Sequence, residues 1–341
     1  MRAAIFNPYL DTMGGGERYT AEVAKIFLDK GFRTDIEWSD KGIKKKLEDR
    51  FGLDLALVNI VSSIEKGDGY DYCFWVSDGS IPLLHARKNF LHFQVPFSGV
   101  EGRSLLNKMK LFRINKVICN SYFTKKFIDK EYGLKSIVIY PPVDVDKYQL
   151  RRKENLILSV GRFSQLMQSK RQDVLIKAFK KFYALGYKKW RLILAGGIEV
   201  GAEKFLAKLK KEVGSYPIEI MESPPFDKIS KLYAKAKVFW SAAGYKIDEN
   251  KKPEKTEHFG ITVVEAMAAG CVPVVFFAGG HKEIIEEGKN GFFFKTISEL
   301  IEKTNRLLDN KDLYARVSKN SINQSKNFSC QRFKNEFNQI L

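Results

Sequence analysis

No apolar run among these 341 residues approaches the ~18 that a helix needs to cross a bilayer. The opening stretch from Met1 to Pro8 has too short an apolar core for a signal peptide and reads as a first buried strand. Paired cysteines are missing too. Cys73, Cys119, Cys271 and Cys330 are scattered with no Cys-x-x-Cys pair, so free thiols in a reducing cytoplasm are expected. The dinucleotide fingerprint Gly-x-Gly-x-x-Gly is absent. There is no sequence repeat, no strongly low-complexity stretch and no recognised nucleic-acid module.

What is present reads as soluble and globular, with 44% hydrophobic and 29% charged residues. The length suggests two domains, each able to bury a core. The net charge of +18 is unevenly spread: residues 1–150 hold 23 Lys and Arg against 19 Asp and Glu, the remainder 35 against 21. Such an excess implies anionic partners, whether nucleotide phosphates, anionic lipid or nucleic acid.

Short apolar runs alternate with helical periodicity along both halves, which argues for parallel α/β sheets. Strands are expected at residues 2–6, 33–38, 53–60, 71–76, 89–94, 116–120 and 136–140, and helices at about 17–30, 103–112 and 122–131. Residues 141–154 read as a linker. A second series follows, with strands at 156–160, 191–195, 218–221, 238–240 and 272–277. Its helices fall near 172–182, 204–212, 227–235 and 261–269, and three more, near 298–308, 313–323 and 331–341, finish the chain. The charged stretches 41–49 and 248–255 read as exposed.

Three places carry residues suited to chemistry. Gly14-Gly15-Gly16, between the first strand and helix, has the layout of an anion-binding turn. The loop from Gly161 to Lys170 offers Arg162 as a planar fork and Lys170 as a point charge, a suitable pair for a diphosphate. Solvated basic residues in a loop are the plainer reading. The third is Glu257-His-Phe-Gly-Ile-Thr-Val-Val-Glu265-Ala-Met-Ala-Ala-Gly270. Gly260 would begin a helix whose first amides, at Ile261 and Thr262, suit phosphate or sugar oxygens, while Glu257 and Glu265 suit sugar or ribose hydroxyls. A capped amphipathic helix with two solvated acids fits the spacing equally well.

In their order and spacing these motifs resemble the retaining nucleotide-sugar glycosyltransferases of the GT-B fold, specifically glycosyltransferase family 4. The set comprises Gly14-Gly15, Gly-Arg-Phe with Lys170, Trp240-Ser-Ala-Ala-Gly244 and Glu257-x7-Glu265. It continues through Gly270-Cys-Val-Pro-Val-Val275, Gly279-Gly280, Glu283-Ile-Ile and Asn290-Gly291. The resemblance covers the whole chain and is strongest from Leu156 to Phe294. It implies two Rossmann-like domains facing across a cleft, residues 1–150 on the acceptor side and 151–325 binding the nucleotide sugar, with 326–341 returning to the N-domain. Arg162 and Lys170 would hold the diphosphate, Glu257 the donor sugar's hydroxyls, and Glu265 the ribose. The amides of Gly260, Ile261 and Thr262 would lie near sugar and phosphate, and Gly14-Gly15 would let the N-terminal loop approach the β-phosphate. His92 stands where some relatives place a histidine at the donor sugar, and a structural histidine is the alternative. His258 is assigned to loop structure.

The resemblance further implies a metal-independent reaction with no cofactor, the donor being a GDP- or UDP-sugar. The acceptor would be a glycan or polyprenyl-linked hydroxyl. Glu-His-Phe-Gly-Ile also resembles mannosyltransferases of the dolichol-linked pathway, which points to GDP-mannose, although bacterial polysaccharide enzymes share the phrase. Asp144-Val145-Asp146 matches the metal-binding Asp-x-Asp of a different glycosyltransferase fold, but the family has a structural turn here. Rival functions are another GT-B enzyme such as a nucleotide-sugar epimerase, a basic nucleic-acid-binding protein, or a catalytically silent sugar-nucleotide binder. Residues 103–135 interleave nine Lys and Arg with Leu, Met and Phe. They read either as a patch on an anionic membrane surface, making the protein cytoplasmic and peripheral on the inner face, or as two ordinary helices with solvated lysines.

Overall fold

The computed structural model describes residues 1–165 and 168–341. In chain order the first elements are β1 (Arg2–Phe6), α1 (Gly15–Asp29), β2 (Arg33–Glu37), α2 (Ile43–Phe51), β3 (Val58–Val61), β4 (Tyr72–Val76), β5 (Lys88–Phe93), α3 (Leu105–Leu111), β6 (Lys116–Cys119), α4 (Tyr122–Tyr132) and β7 (Ile137–Val138). There follow β8 (Glu154–Val160), α5 (Gln172–Ala184), β9 (Arg191–Gly196), α6 (Glu203–Val213), β10 (Ile218–Glu222), α7 (Phe226–Lys235), β11 (Ala236–Ser241) and α8 (Ile261–Ala268). The last are β12 (Val272–Phe276), α9 (His281–Ile284), β13 (Phe292–Phe294), α10 (Ile297–Asp309), α11 (Lys311–Ser325) and α12 (Cys330–Asn338). The contacts divide the chain into two units, one of Met1–Pro142 with Cys330–Leu341 and one of Val143–Ser329.

Each unit is built on one parallel sheet. The first has the order β3-β2-β1-β4-β5-β6-β7 and the second β10-β9-β8-β11-β12-β13. Strands such as β8 and β12 are apolar throughout their centres because helices cover both faces of a parallel sheet. In both orders the chain runs outward from a central strand and then crosses back to its other side. That reversal falls between β1 and β4 in the first unit and between β8 and β11 in the second. The loops leaving the carboxyl ends of the two reversal strands diverge, and this leaves a crevice in such sheets. β8 and β11 pair with Ile157 opposite Val238 and Leu158 opposite Phe239.

Several expectations shift. The charged stretch 41–49 is mostly α2, which buries Ile43, Leu47 and Phe51 on one face at helical spacing. The third strand starts only at Val58, after a turn in which Leu57 is exposed. β13 and α9 are additions to the expected series. Residues 103–135 divide: α4 buries Phe123, Phe127 and Ile128, as an ordinary helix does, whereas no residue of α3 is buried. Within the first unit α12 inserts Phe333 and Phe337 among Tyr19, Phe27, Phe74 and Phe90.

Candidate functional site

The site forms where β8 and β11 end. Leaving β8, the chain runs beside the loop that leaves β9, held by the Gly161 amide to Ala195 O at 2.9 Å and the Phe163 amide to Gly197 O at 2.8 Å. The approach is so close that a Cβ on Gly196 would stand 2.1 Å from the Gly161 carbonyl oxygen. Phe163 is buried beneath, while Arg162 keeps 47% of its side chain exposed and lies 3.9 Å from the Glu199 carboxylate. The Ser164 hydroxyl also donates to Glu199. The Gln172 amide ties the start of α5 to the Arg162 carbonyl at 3.0 Å. Leu166 and Met167, in the middle of the predicted Arg/Lys loop, lie outside the described residues.

Beyond them the loop meets the segment that follows β11. Lys170 donates to Glu257 Oε2 at 2.7 Å, and the side chains are 19% and 8% exposed. Gln168 buttresses this pair. Its amide nitrogen donates to Glu257 Oε1 at 3.1 Å and to the Thr256 carbonyl at 3.0 Å, while its oxygen accepts from Lys170 at 3.1 Å. Burial alone would push the Glu257 carboxyl up, but the groups around it, Lys170 foremost, together outweigh burial and the carboxyl sits below its ordinary value. The carboxylate is therefore ionised at neutral pH although nearly enclosed.

Two glycines make room for this segment. Gly280 donates its amide to the Glu257 carbonyl at 2.7 Å, and a Cβ on Gly279 would lie 2.1 Å from that same oxygen. Gly279 also adopts φ +55°, in the left-handed region that favours glycine. Next in the chain is His281, fully buried, with Nδ1 2.9 Å from the Phe276 carbonyl and Nε2 3.2 Å from the Ser241 hydroxyl. The carbonyl can only accept, so Nδ1 carries the hydrogen and Nε2 takes the hydroxyl's. Burial lowers the histidine's pKa, consistent with this neutral form.

Gly260, at φ +115°, turns the chain into α8. Its carbonyl accepts from the amides of Val263 and Val264, so those of Ile261 and Thr262 precede the first intrahelical donor. Ile261 and Thr262 are half-buried. One turn on, Glu265 accepts from the hydroxyl of Tyr233 at 2.9 Å. Tyr233 is fully buried on α7, and burial together with the neighbouring carboxylate raises its pKa well above the usual value, so it remains a donor. Thus Arg162, Lys170, Glu257, the start of α8 and Glu265 all lie in the second unit, on the loops and helix that follow β8 and β11.

Of the remaining residues singled out, Gly14, Gly15 and His92 belong to the first unit and Asp144 to the second. Gly14 precedes α1 and donates its amide to Glu17 Oε2 at 2.7 Å, with Gly15 as the first helical residue. The anion at this helix start is the chain's own carboxylate. His92, expected either at the donor sugar or as a structural histidine, is enclosed. It lies on β5 at 0% exposure, stacked on Tyr19 at 4.0 Å and on Phe74 at 5.5 Å, with Nδ1 3.2 Å from the Ile118 carbonyl. Burial pushes its pKa down to about 3. The imidazole is therefore neutral and enclosed beside these two rings. Asp144, of the Asp-x-Asp sequence, pairs with Lys147 at 2.8 Å across a short 3-10 turn, Val145–Lys147.

Gln168, His281, Tyr233, Glu199 and Ser164 were missed by sequence reasoning. Gln168 and Ser164 stood in the singled-out loop and His281 directly after Gly279-Gly280, so position marked them. Tyr233 and Glu199 carried no such signal.

Two Rossmann-like parallel-sheet α/β units, with charged groups gathered at a strand-order reversal, define the GT-B class of fold. A profile of the family described as "Glycosyl transferases group 1" matches residues 142–324, and the chain belongs to that family. It is 29% identical over 224 residues to the GDP-Man:Man(3)GlcNAc(2)-PP-Dol alpha-1,2-mannosyltransferase of Dictyostelium discoideum, a match covering 61% of this chain and 42% of that protein. The chain thus spans less than half the length of that relative. An uncharacterized glycosyltransferase of Haemophilus influenzae is 26% identical over 381 residues, covering 100% of this chain and 99% of the other. Among solved structures, Anabaena HepE in complex with UDP-glucose superposes with a TM-score of 0.74 at 18% identity, covering 99% of this chain and 98% of that one.

Proposed function

We propose that this glycosyltransferase is a retaining, metal-independent hexosyltransferase of family 4 that moves mannose from GDP-mannose to a glycan or polyprenyl-linked hydroxyl. The observation that carries the reading is the contact of Lys170 with Glu257 at 2.7 Å, two residues 87 positions apart joined at the reversal between β8 and β11. A cation suited to a departing diphosphate stands beside a carboxylate suited to sugar hydroxyls. In the reaction the bond from C1 to phosphate breaks, leaving positive charge on the sugar and negative charge on the nucleoside diphosphate. Arg162, exposed, and Lys170 stabilise that negative charge more than the ground state, which lowers the barrier. Glu257 orients the sugar through its hydroxyls, the amides of Gly260, Ile261 and Thr262 bind sugar and phosphate oxygens, and Glu265 takes the ribose. The acceptor attacks from the same face, and a phosphate oxygen receives its proton.

The donor sugar is supported by the Dictyostelium relative's name and by the Glu257-His-Phe-Gly-Ile phrase. UDP-glucose in the Anabaena structure keeps a uridine donor as the second reading. A thermal-shift series with UDP, GDP, ADP and their sugars tests the choice, since a ligand at about 100 times its Kd adds about 2.7 kcal/mol. GDP and GDP-mannose are expected to raise the unfolding temperature most. Arg162→Ala with Lys170→Ala should abolish that shift and lower transfer by roughly 10²-fold or more. Unchanged transfer in the double variant would overturn the diphosphate assignment.

A further inference from the structure

The surface of α3 is the reverse of an ordinary globular helix. Its apolar side chains point to solvent: Leu105 is 76% exposed, Leu106 61%, Met109 61%, and Phe112, which caps the helix, 90%. At about 100° per residue these four fall within an arc of roughly 120°, with Lys108 just outside one edge and Lys110 just outside the other. Asn107 and Leu111, both half-buried, lie on the opposite side, and Lys110 is half-buried at the edge of the stripe. Beside the helix end opens a cavity of about 260 Å³ whose lining includes Leu111, Ile114, Val117 and Leu134 together with Lys116 and Lys135. Residues 102–128 contain seven Lys and Arg and no Asp or Glu.

We propose that α3 lies in the interface of an anionic lipid bilayer, with Leu105, Leu106, Met109 and Phe112 entering the acyl boundary and Lys108 and Lys110 meeting lipid phosphates. Apolar stripes flanked by lysines suit a monotopic interfacial helix, since both the buried area and the negative surface potential favour it. Charge selects this occupant over a second copy of the chain. A two-fold pairing of the face would set like lysines against one another in a segment that supplies no acid to offset them. The inference stands apart from the sugar-transfer reading, because docking requires no reaction.

The test is co-sedimentation of the full chain with sucrose-loaded vesicles of phosphatidylcholine alone, or with about a third phosphatidylglycerol. Wild type is expected to sediment with the anionic vesicles and to release at high salt. Leu106→Ser with Phe112→Ser should lower binding by about tenfold or more, and Lys108→Glu with Lys110→Glu should lower it on anionic vesicles. Leu106, Lys108 and Phe112 are exposed and Lys110 is half-buried at the stripe's edge, so the unfolding temperature should not move. The proposal is overturned if wild type binds neither vesicle or if either variant binds like wild type. It is equally overturned if the serine changes lower the unfolding temperature, or only convert a dimer to a monomer in light scattering.

Discussion

The pairing of Lys170 with Glu257 carries a folding cost. With side chains 19% and 8% exposed, neither is fully hydrated, and each depends on the other. Removing one partner of such a pair leaves an uncompensated buried charge, which costs about 3–5 kcal/mol where burial is complete. Lys170→Met should therefore destabilise by about 3 kcal/mol in urea unfolding. Adding Glu257→Gln should recover at least about 1 kcal/mol of coupling, which a double-mutant cycle measures. Strict additivity would mean that solvent screens the contact. The pH dependence has a fixed sign. Glu257's carboxyl lies below its ordinary 4.5 when folded, so the unfolded chain takes up the proton first as pH falls. The pair's contribution is complete above about pH 5 and is lost as pH drops through the folded value, leaving neutral stability untouched. Sequence named both residues and their chemistries, but not that they touch, because contact across 87 positions depends on which strands are neighbours.

At the scale of elements, strand order brings the two loops together and two glycines set their spacing. Gly279 combines a left-handed backbone with a 2.1 Å approach of any Cβ to the Glu257 carbonyl, which is backbone and cannot swing aside. Gly279→Ala is expected to cost about 2 kcal/mol or more in stability. It should also raise the Kd for nucleotide sugar by displacing the Glu257 segment, read by calorimetric titration; unaltered binding would mean the segment tolerates the shift. Alternating apolar runs were enough to read the two parallel sheets from the sequence, because most of the strands are followed by a helix of clear period. β13 and α9 were not legible at three and four residues, too short to show a period. The late start of β3 escaped for another reason: residues 53–57 are apolar enough for a strand, yet form a turn in which Asp54 Oδ1 accepts from the Ala56 amide. His92 was ambiguous because a histidine in an apolar strand looks the same whether it faces a ligand or a ring.

For the whole molecule, the important contacts are those of α12. Phe337 lies at 6.2 Å from Phe27, 5.9 Å from Phe74 and 6.2 Å from Phe90, ring centre to ring centre, and is fully buried. Phe337→Ala should cost about 3–5 kcal/mol. The loss should appear as faster amide exchange across residues 1–142, with protection across 143–329 preserved. Equal loss in both would mean that the two cores do not unfold separately. The same helix bears on how the chain is made. Residues 143–329 leave the ribosome before α12 does, and at 5–20 residues per second they occupy it for roughly 10–40 s. For that interval the aromatic face of Tyr19, Phe27, Phe74 and Phe90 waits without its cover. A nascent chain stalled before Cys330 should bind a hydrophobic-patch chaperone that one extended past Leu341 does not.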